Sequence, residues 1–142
     1  MADYAKMSDA ELNAAVAEKV MGWKLYDYEK GRYAKTKADY VDAYTNDGWG
    51  WEGRSGDEYA HQWSPSTDIA AAWEVVEKMK ADGWFFQLGD VIELPEWLSR
   101  FTSPFFPPGG PVQDASAMDK SAGRSICLAA LAAVEAKEKT NA

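Results

Sequence analysis

The sequence predicts an α+β domain with about three α-helices and an antiparallel β-hairpin. Three observations carry this expectation. Amphipathic stretches begin at capping residues, two aromatic and β-branched runs flank Gly89-Asp90, and the composition is 46% hydrophobic and 27% charged, that of a folded chain rather than a solvated tail. At 142 residues the chain is expected to form one domain over 1–142.

The first helix is announced by Ser8-Asp9-Ala10-Glu11, where the Ser8 hydroxyl and the Glu11 carboxylate can satisfy free amides at a helix start. Leu12, Ala15, Val16 and Val20 form its apolar stripe, with Glu11, Asn13, Glu18 and Lys19 mostly outside it, and Gly22 can end it in the left-handed conformation. A second helix follows Ser64-Pro65-Ser66-Thr67-Asp68, with Ser66 or Thr67 as the cap and Asp68 at the positive end of the dipole. Its expected stripe is Ile69, Ala72, Trp73, Val76 and Met79, and Gly83 stops it. The third covers about Ser121 to Lys137, with Cys127, Ala130, Leu131 and Val134 on one side and a frayed tail over 136–142.

Trp84 to Leu88 and Val91 to Leu94 read as a hairpin whose two-residue turn is Gly89-Asp90, of type II′ because glycine stands first. Trp97 to Phe106 reads as a further strand. The breaker cluster Pro107-Pro108-Gly109-Gly110-Pro111 predicts an exposed loop over 107–120. Tyr26 to Gln62 reads as weak strands and loops, and Asn46-Asp47-Gly48-Trp49-Gly50-Trp51-Glu52-Gly53 within it as a turn-rich tip whose indoles ask for a partner surface.

A net charge of −8 repels phosphate backbones at long range and disfavours direct nucleic-acid binding. A single cysteine excludes an internal disulfide, and a single histidine excludes a His-based metal cluster. No cofactor and no metal are expected. The start Met1-Ala2-Asp3-Tyr4 lacks the basic and apolar regions of a signal peptide, and no apolar run approaches the roughly 20 residues that cross a bilayer, so a host-cytoplasmic protein without membrane contact is expected.

His61 can act as a general base or bind an anion, or be a structural histidine. Cys127 lies on an apolar helix face, which favours packing over nucleophilic chemistry. Seven tryptophans among nineteen aromatic residues exceed what a core of this length ordinarily requires. Trp23, Trp73 and Trp84 fall at positions expected to be buried, whereas Trp49, Trp51, Tyr59 and Trp97 fall in loops or at strand ends, where their rings can stack on a base or anchor a protein. Arg54, Arg100 and Arg124 can offer forked donors to a phosphate or serve as surface ion-pair partners. The carboxylates Asp39, Asp42, Asp47, Glu52, Asp57 and Glu58 can hold a divalent ion, mimic nucleic acid or simply face solvent, and they do not match the calcium-loop spacing. No phosphate-binding glycine loop is present, so NTPase and Rossmann readings fail.

Three blocks carry a family resemblance: Val16-Ala17-Glu18-Lys19-Val20-Met21-Gly22-Trp23, then Trp63 through Met79, then Ser125-Ile126-Cys127-Leu128-Ala129-Ala130-Leu131. In order and spacing the chain resembles the phage ABA sandwich domain family. The resemblance implies a sheet layered with helices and a phage product, and carries over no reaction and no catalytic residue.

From these readings the expected function is a small phage-encoded, non-enzymatic binding protein that counters host defence by sequestering a nucleotide-like signal. The expected ligand-binding residues are Trp49, Trp51, Arg54, Tyr59, His61, Trp97 and Arg100. A homo-oligomer is expected, because a chain this short buries little surface for a pocket of its own. The alternatives are an acidic inhibitor of a bacterial defence or host protein, which would bind in a salt-sensitive way, and an enzyme degrading a nucleotide signal through His61.

Overall fold

The computed structural model describes residues 3–54, 58–90, 93–103 and 113–141, with the backbone alone described at 113 and 139–141. Its elements run α1 (Asp9–Lys19), β1 (Lys24–Asp27), β2 (Arg32–Tyr33), α2 (Lys37–Thr45), β3 (Trp49–Glu52), α3 (Ile69–Ala81), β4 (Phe85–Asp90), β5 (Trp97–Ser103), β6 (Gln113–Asp119) and α4 (Ala122–Asn141), with short 3₁₀ turns at Tyr4–Lys6 and Ala60–Gln62. The α+β class is as expected, with four helices among the described residues and two three-stranded antiparallel sheets, ordered β2-β1-β3 and β4-β5-β6.

Helix α1 begins as its capping box dictates. Ser8 Oγ accepts from the Glu11 amide at 3.2 Å, and the Glu11 carboxylate accepts from the Ser8 amide at 3.4 Å. Gly22, at φ +76°, turns the chain out of the helix, and the Trp23 amide donates to the Ala17 carbonyl at 3.0 Å. Helix α2 was not foreseen in the Tyr26–Gln62 stretch, yet Thr36 and Asp39 form the same reciprocal cap.

Helix α4 is the spine. One side lies on β5 and β6, and α1 and α3 pack on the rest. Ile126, Cys127, Ala129, Ala130, Leu131 and Ala133 are all buried, and the alanines let neighbouring backbones approach. Phe101, fully buried on β5, faces this helix from a row that pairs it with Phe86 and Ala115. The next row places Ser99 against Ser125 of α4, where two buried hydroxyls meet at 2.7 Å and Ser125 donates on to the Ala122 carbonyl at 2.9 Å. At the start of α4, Gly123 abuts the Pro65 carbonyl so closely that a Cβ there would collide with backbone oxygen.

Several expectations are corrected. Gly89-Asp90 is no hairpin turn: β4 runs through it, with Gly89 opposite Leu98 and Asp90 opposite Trp97, so the chain reverses after Asp90. Ladder pairing with β5 outweighs the local turn preference there. Val91 and Ile92, the start of the expected second hairpin strand, lie outside the described residues. Of the exposed loop expected over 107–120, residues 113–119 are strand β6, paired along its length with β5. The proline cluster lies outside the described residues. The third expected helix, read to about Lys137, continues through Asn141.

Asp68, rather than Ser66 or Thr67, caps α3 by accepting from the Ala70 amide at 3.1 Å. The buried face of α3 is Ala71, Ala72, Val75, Val76 and Met79, so Ile69 and Trp73 point away and are about half exposed, at 54% and 46%. Trp73 reaches only the edge of Phe86, 5.9 Å between centroids. Trp84 is buried as expected, and Trp23 is half-buried against Trp63. The expected exposed tip is β3, in which Trp49 and Trp51 are 2% and 7% exposed.

Candidate ligand-binding site

A cavity of ≈ 240 Å³ opens where α1, α2, β1, β3, the 3₁₀ turn and the Ser64–Thr67 segment meet. Leu25, Ala43, Trp51, Ala60 and Trp63 line its apolar side with Ala10 and Ala14 of α1, and Asp9, Asn13, Tyr44, His61, Ser64 and Thr67 supply the polar groups. Such a cavity, mostly apolar with a few fixed polar groups, is the ordinary form of a small-molecule site.

The polar groups are held before any ligand arrives. Asn13 sits in mid-helix, where asparagine is a poor helix former. Its side chain ties α1 to the loop before α3: Nδ2 donates to Ser64 Oγ at 2.9 Å and Oδ1 accepts from the Ser66 amide at 2.9 Å. Asn13 was expected outside the apolar stripe, yet it is buried. Ser64 Oγ in turn lies 2.7 Å from Thr67 Oγ1. Asp9 Oδ1 accepts from Arg124 Nη1 at 2.9 Å, and the same guanidinium faces Asp119 at 3.6 Å and donates to the carbonyls of Ala5 and Met7. His61 Nε2 lies 2.8 Å from Asp47 Oδ1, and its ring stacks on Tyr59 with centroids 5.9 Å apart. Burial, with Glu11 and Glu18 nearby, pushes the Tyr44 phenol above its ordinary range, so it stays protonated at neutral pH.

The seven residues expected to bind a ligand fall into two groups. Trp51 and His61 line this cavity. Trp51 also lines a neighbouring cleft with Trp49, Arg54 and Tyr59, so five of the seven gather around one buried indole. Trp97 and Arg100 belong to the other sheet, in β5.

The arginines are engaged within the fold. Arg54 donates to Glu74 at 2.5 Å and to Glu58 at 3.0 Å, with its guanidinium over the rings of Trp23 and Trp63 at 5.5 and 5.8 Å. Arg100 forks onto Asp114, holding that carboxyl below the usual carboxylate range. Among the other expected acidic groups, Asp39 takes the Arg32 fork, Asp42 accepts from Trp49 Nε1 at 2.8 Å, and Glu52 accepts from the Tyr33 hydroxyl. Asp57 lies outside the described residues. The Cys127 thiol is pushed up to about 12 by burial, which leaves it protonated and unreactive at neutral pH.

Sequence reasoning missed Asp9, Asn13, Tyr44, Ser64 and Thr67. One signal was available: Asp9 and Asn13 are four residues apart and share a helix face. Among the described residues no cluster of three or more His, Cys, Asp or Glu is arranged to hold a metal ion, and no helix is long and apolar enough to cross a membrane.

Fold and cavity together define a small layered α+β domain with a site the size of a small molecule. The Phage ABA sandwich domain model matches residues 14–131, and the chain belongs to that family. No curated protein and no solved structure matches it.

Proposed function

We propose that this phage protein is a non-enzymatic binding protein that sequesters a small nucleotide-like molecule in the cavity beside Trp51, and so withdraws a host defence signal. The observation that supports the reading is the cavity itself: aromatic walls from Tyr44, Trp51 and Trp63, and a polar rim already hydrogen-bonded into position. Preorganisation of this kind favours affinity, because little is left to order on binding. The acidic-inhibitor reading draws less support, since Asp39, Asp42, Glu52 and Glu58 are engaged within the fold.

The test is to load the purified protein from bacterial lysate, wash it, denature it and identify what is released by mass spectrometry. An unaltered small molecule at one per chain is expected, and Ala10→Phe, which adds a ring at the cavity wall, should release none while keeping a native circular dichroism spectrum. Release of nothing, of chemical products only, or of equal amounts from the variant would overturn the proposal.

A further inference from the structure

Whether such a cavity takes the phosphate or the base end of a nucleotide-like molecule is decided by the charge around it. All four arginines of the chain are engaged: Arg32 with Asp39, Arg54 with Glu58 and Glu74, Arg100 with Asp114, and Arg124 with Asp9 and Asp119. Two of them are each shared by two carboxylates, so each of those groups keeps one negative charge. Among the described residues no lysine or arginine lines the cavity, while Asp9 does. The amino end of α1, which would otherwise attract an anion, is already occupied by the Ser8 cap and by the carboxylates of Asp9 and Glu11. An incoming phosphate would thus lose its hydration and meet a like charge.

Hydrogen-bond capacity points the same way. One of the two hydroxyl hydrogens of Ser64 and Thr67 is spent between them, the Thr67 hydroxyl also lies 3.5 Å from the Ser64 carbonyl oxygen, and Asn13 fills a lone pair of Ser64, which leaves more acceptor than donor capacity on the two oxygens. Asn13 itself has its oxygen filled by the Ser66 amide. Asp9 keeps a second carboxylate oxygen outside its bond to Arg124. The rim therefore offers acceptors at Asp9, Ser64 and Thr67, beside the donor groups of the Tyr44 hydroxyl and the second Asn13 Nδ2 hydrogen. The volume of ≈ 240 Å³ is below the ~300 Å³ at which drug-sized sites begin, so the occupant is small.

Building on the proposed sequestration, we infer that the cavity selects a non-anionic nitrogen heterocycle of nucleobase or nucleoside size, whose N–H donors meet Asp9, Ser64 and Thr67, and that it discriminates against the phosphorylated form. Aromatic walls suit the flat face of such a molecule, and the acceptor rim suits its edge.

The 142-residue chain is titrated calorimetrically with the four ribonucleosides, their 5′-monophosphates and inorganic phosphate at constant ionic strength. At least one nucleoside is expected to bind tenfold or more tightly than its own monophosphate, and inorganic phosphate should not compete with it. Thr67→Val should weaken the nucleoside about tenfold. Asp9→Asn should bring the monophosphate toward parity by releasing Arg124 from one of its two carboxylates, an asymmetry that a purely structural defect would not produce. A monophosphate that binds as tightly as the nucleoside, or competition by phosphate, would overturn the inference and leave sequestration standing. If none of the nine compounds binds, the inferred ligand class is wrong, and the lysate experiment decides separately whether the cavity holds anything.

Discussion

The two halves of the molecule each contain a three-stranded antiparallel sheet, yet apolar burial and side-chain hydrogen bonding weigh differently in them. In the β4-β5-β6 half the strands are six and seven residues long and lie under α4, with Phe101 and the apolar face of that helix fully enclosed. In the β2-β1-β3 half the strands are two to four residues long, and side-chain hydrogen bonds join the elements: Asn13 to Ser64 and Ser66, Trp49 to Asp42, Tyr33 to Glu52. Apolar burial is non-directional and closes space, whereas hydrogen-bonded polar groups hold elements at fixed separations and can leave room between them. The cavity lies in the second kind of half.

If that contrast is right, the largest single loss of stability belongs to the apolar half. Phe101→Ala should destabilise by about 3–5 kcal/mol, because the void left beside α4 is walled by helix and sheet that cannot collapse into it. Urea unfolding followed by far-ultraviolet circular dichroism measures it. A loss under about 1 kcal/mol would mean that the α4 layer is loosely packed and the contrast is false.

The counterpart in the polar half is Asn13→Leu. It removes the acceptor for the Ser66 amide, a buried donor, together with the bond to Ser64. Loss of about 1–3 kcal/mol is expected, measured in the same unfolding experiment. Ligand affinity should fall as well, since Ser64 loses its anchor. A variant as stable as the parent would show that the hydrogen-bonded frame is dispensable.

The same contrast explains what the sequence revealed. Elements built from local chemistry were legible: the Ser8–Glu11 box, the Gly22 and Gly83 stops, and the helix that became α4. Helix α2 carries an equivalent cap at Thr36 and Asp39, but of its residues only Ala43 is buried, so it shows no apolar stripe to read. Strand β6 is Gln-Asp-Ala-Ser-Ala-Met-Asp, poor in β-formers, and it exists because β5 pairs with it and α4 needs small residues opposite. Trp49 and Trp51 looked like a tip because glycines surround them. Their burial depends on α2 and the 3₁₀ turn, neither of which the local sequence announces as a packing partner. The aromatic cluster was thus half legible, since five of the seven expected residues gather around Trp51. The polar rim was not, because Asp9, Asn13, Tyr44, Ser64 and Thr67 converge from three separate stretches of chain, and only folding brings them together.

Acid sharpens the contrast with the smallest effect. Asp39 accepts the Arg32 fork at 2.9 and 3.1 Å and the amides of Lys35 and Thr36, and those partners, the guanidinium first, hold its carboxyl well below the usual range. On the other sheet Asp114 is lowered chiefly by Arg100 alone. A carboxyl depressed by folding binds its proton more tightly in the unfolded chain. Its contribution is therefore complete above the unfolded value of about 3.9 and is lost as pH falls through that value toward the folded one. Melting temperature followed from pH 6 to pH 2 should drop along this limb, and Asp39→Asn should flatten the drop more than Asp114→Asn does. Asp39 caps α2 and joins it to β2 through Arg32, whereas Asp114 braces two strands that the ladder already joins. Equal flattening by the two variants would mean that α2 gains no more from its ionic anchor than the long sheet does, and that the polar half has some other source of stability.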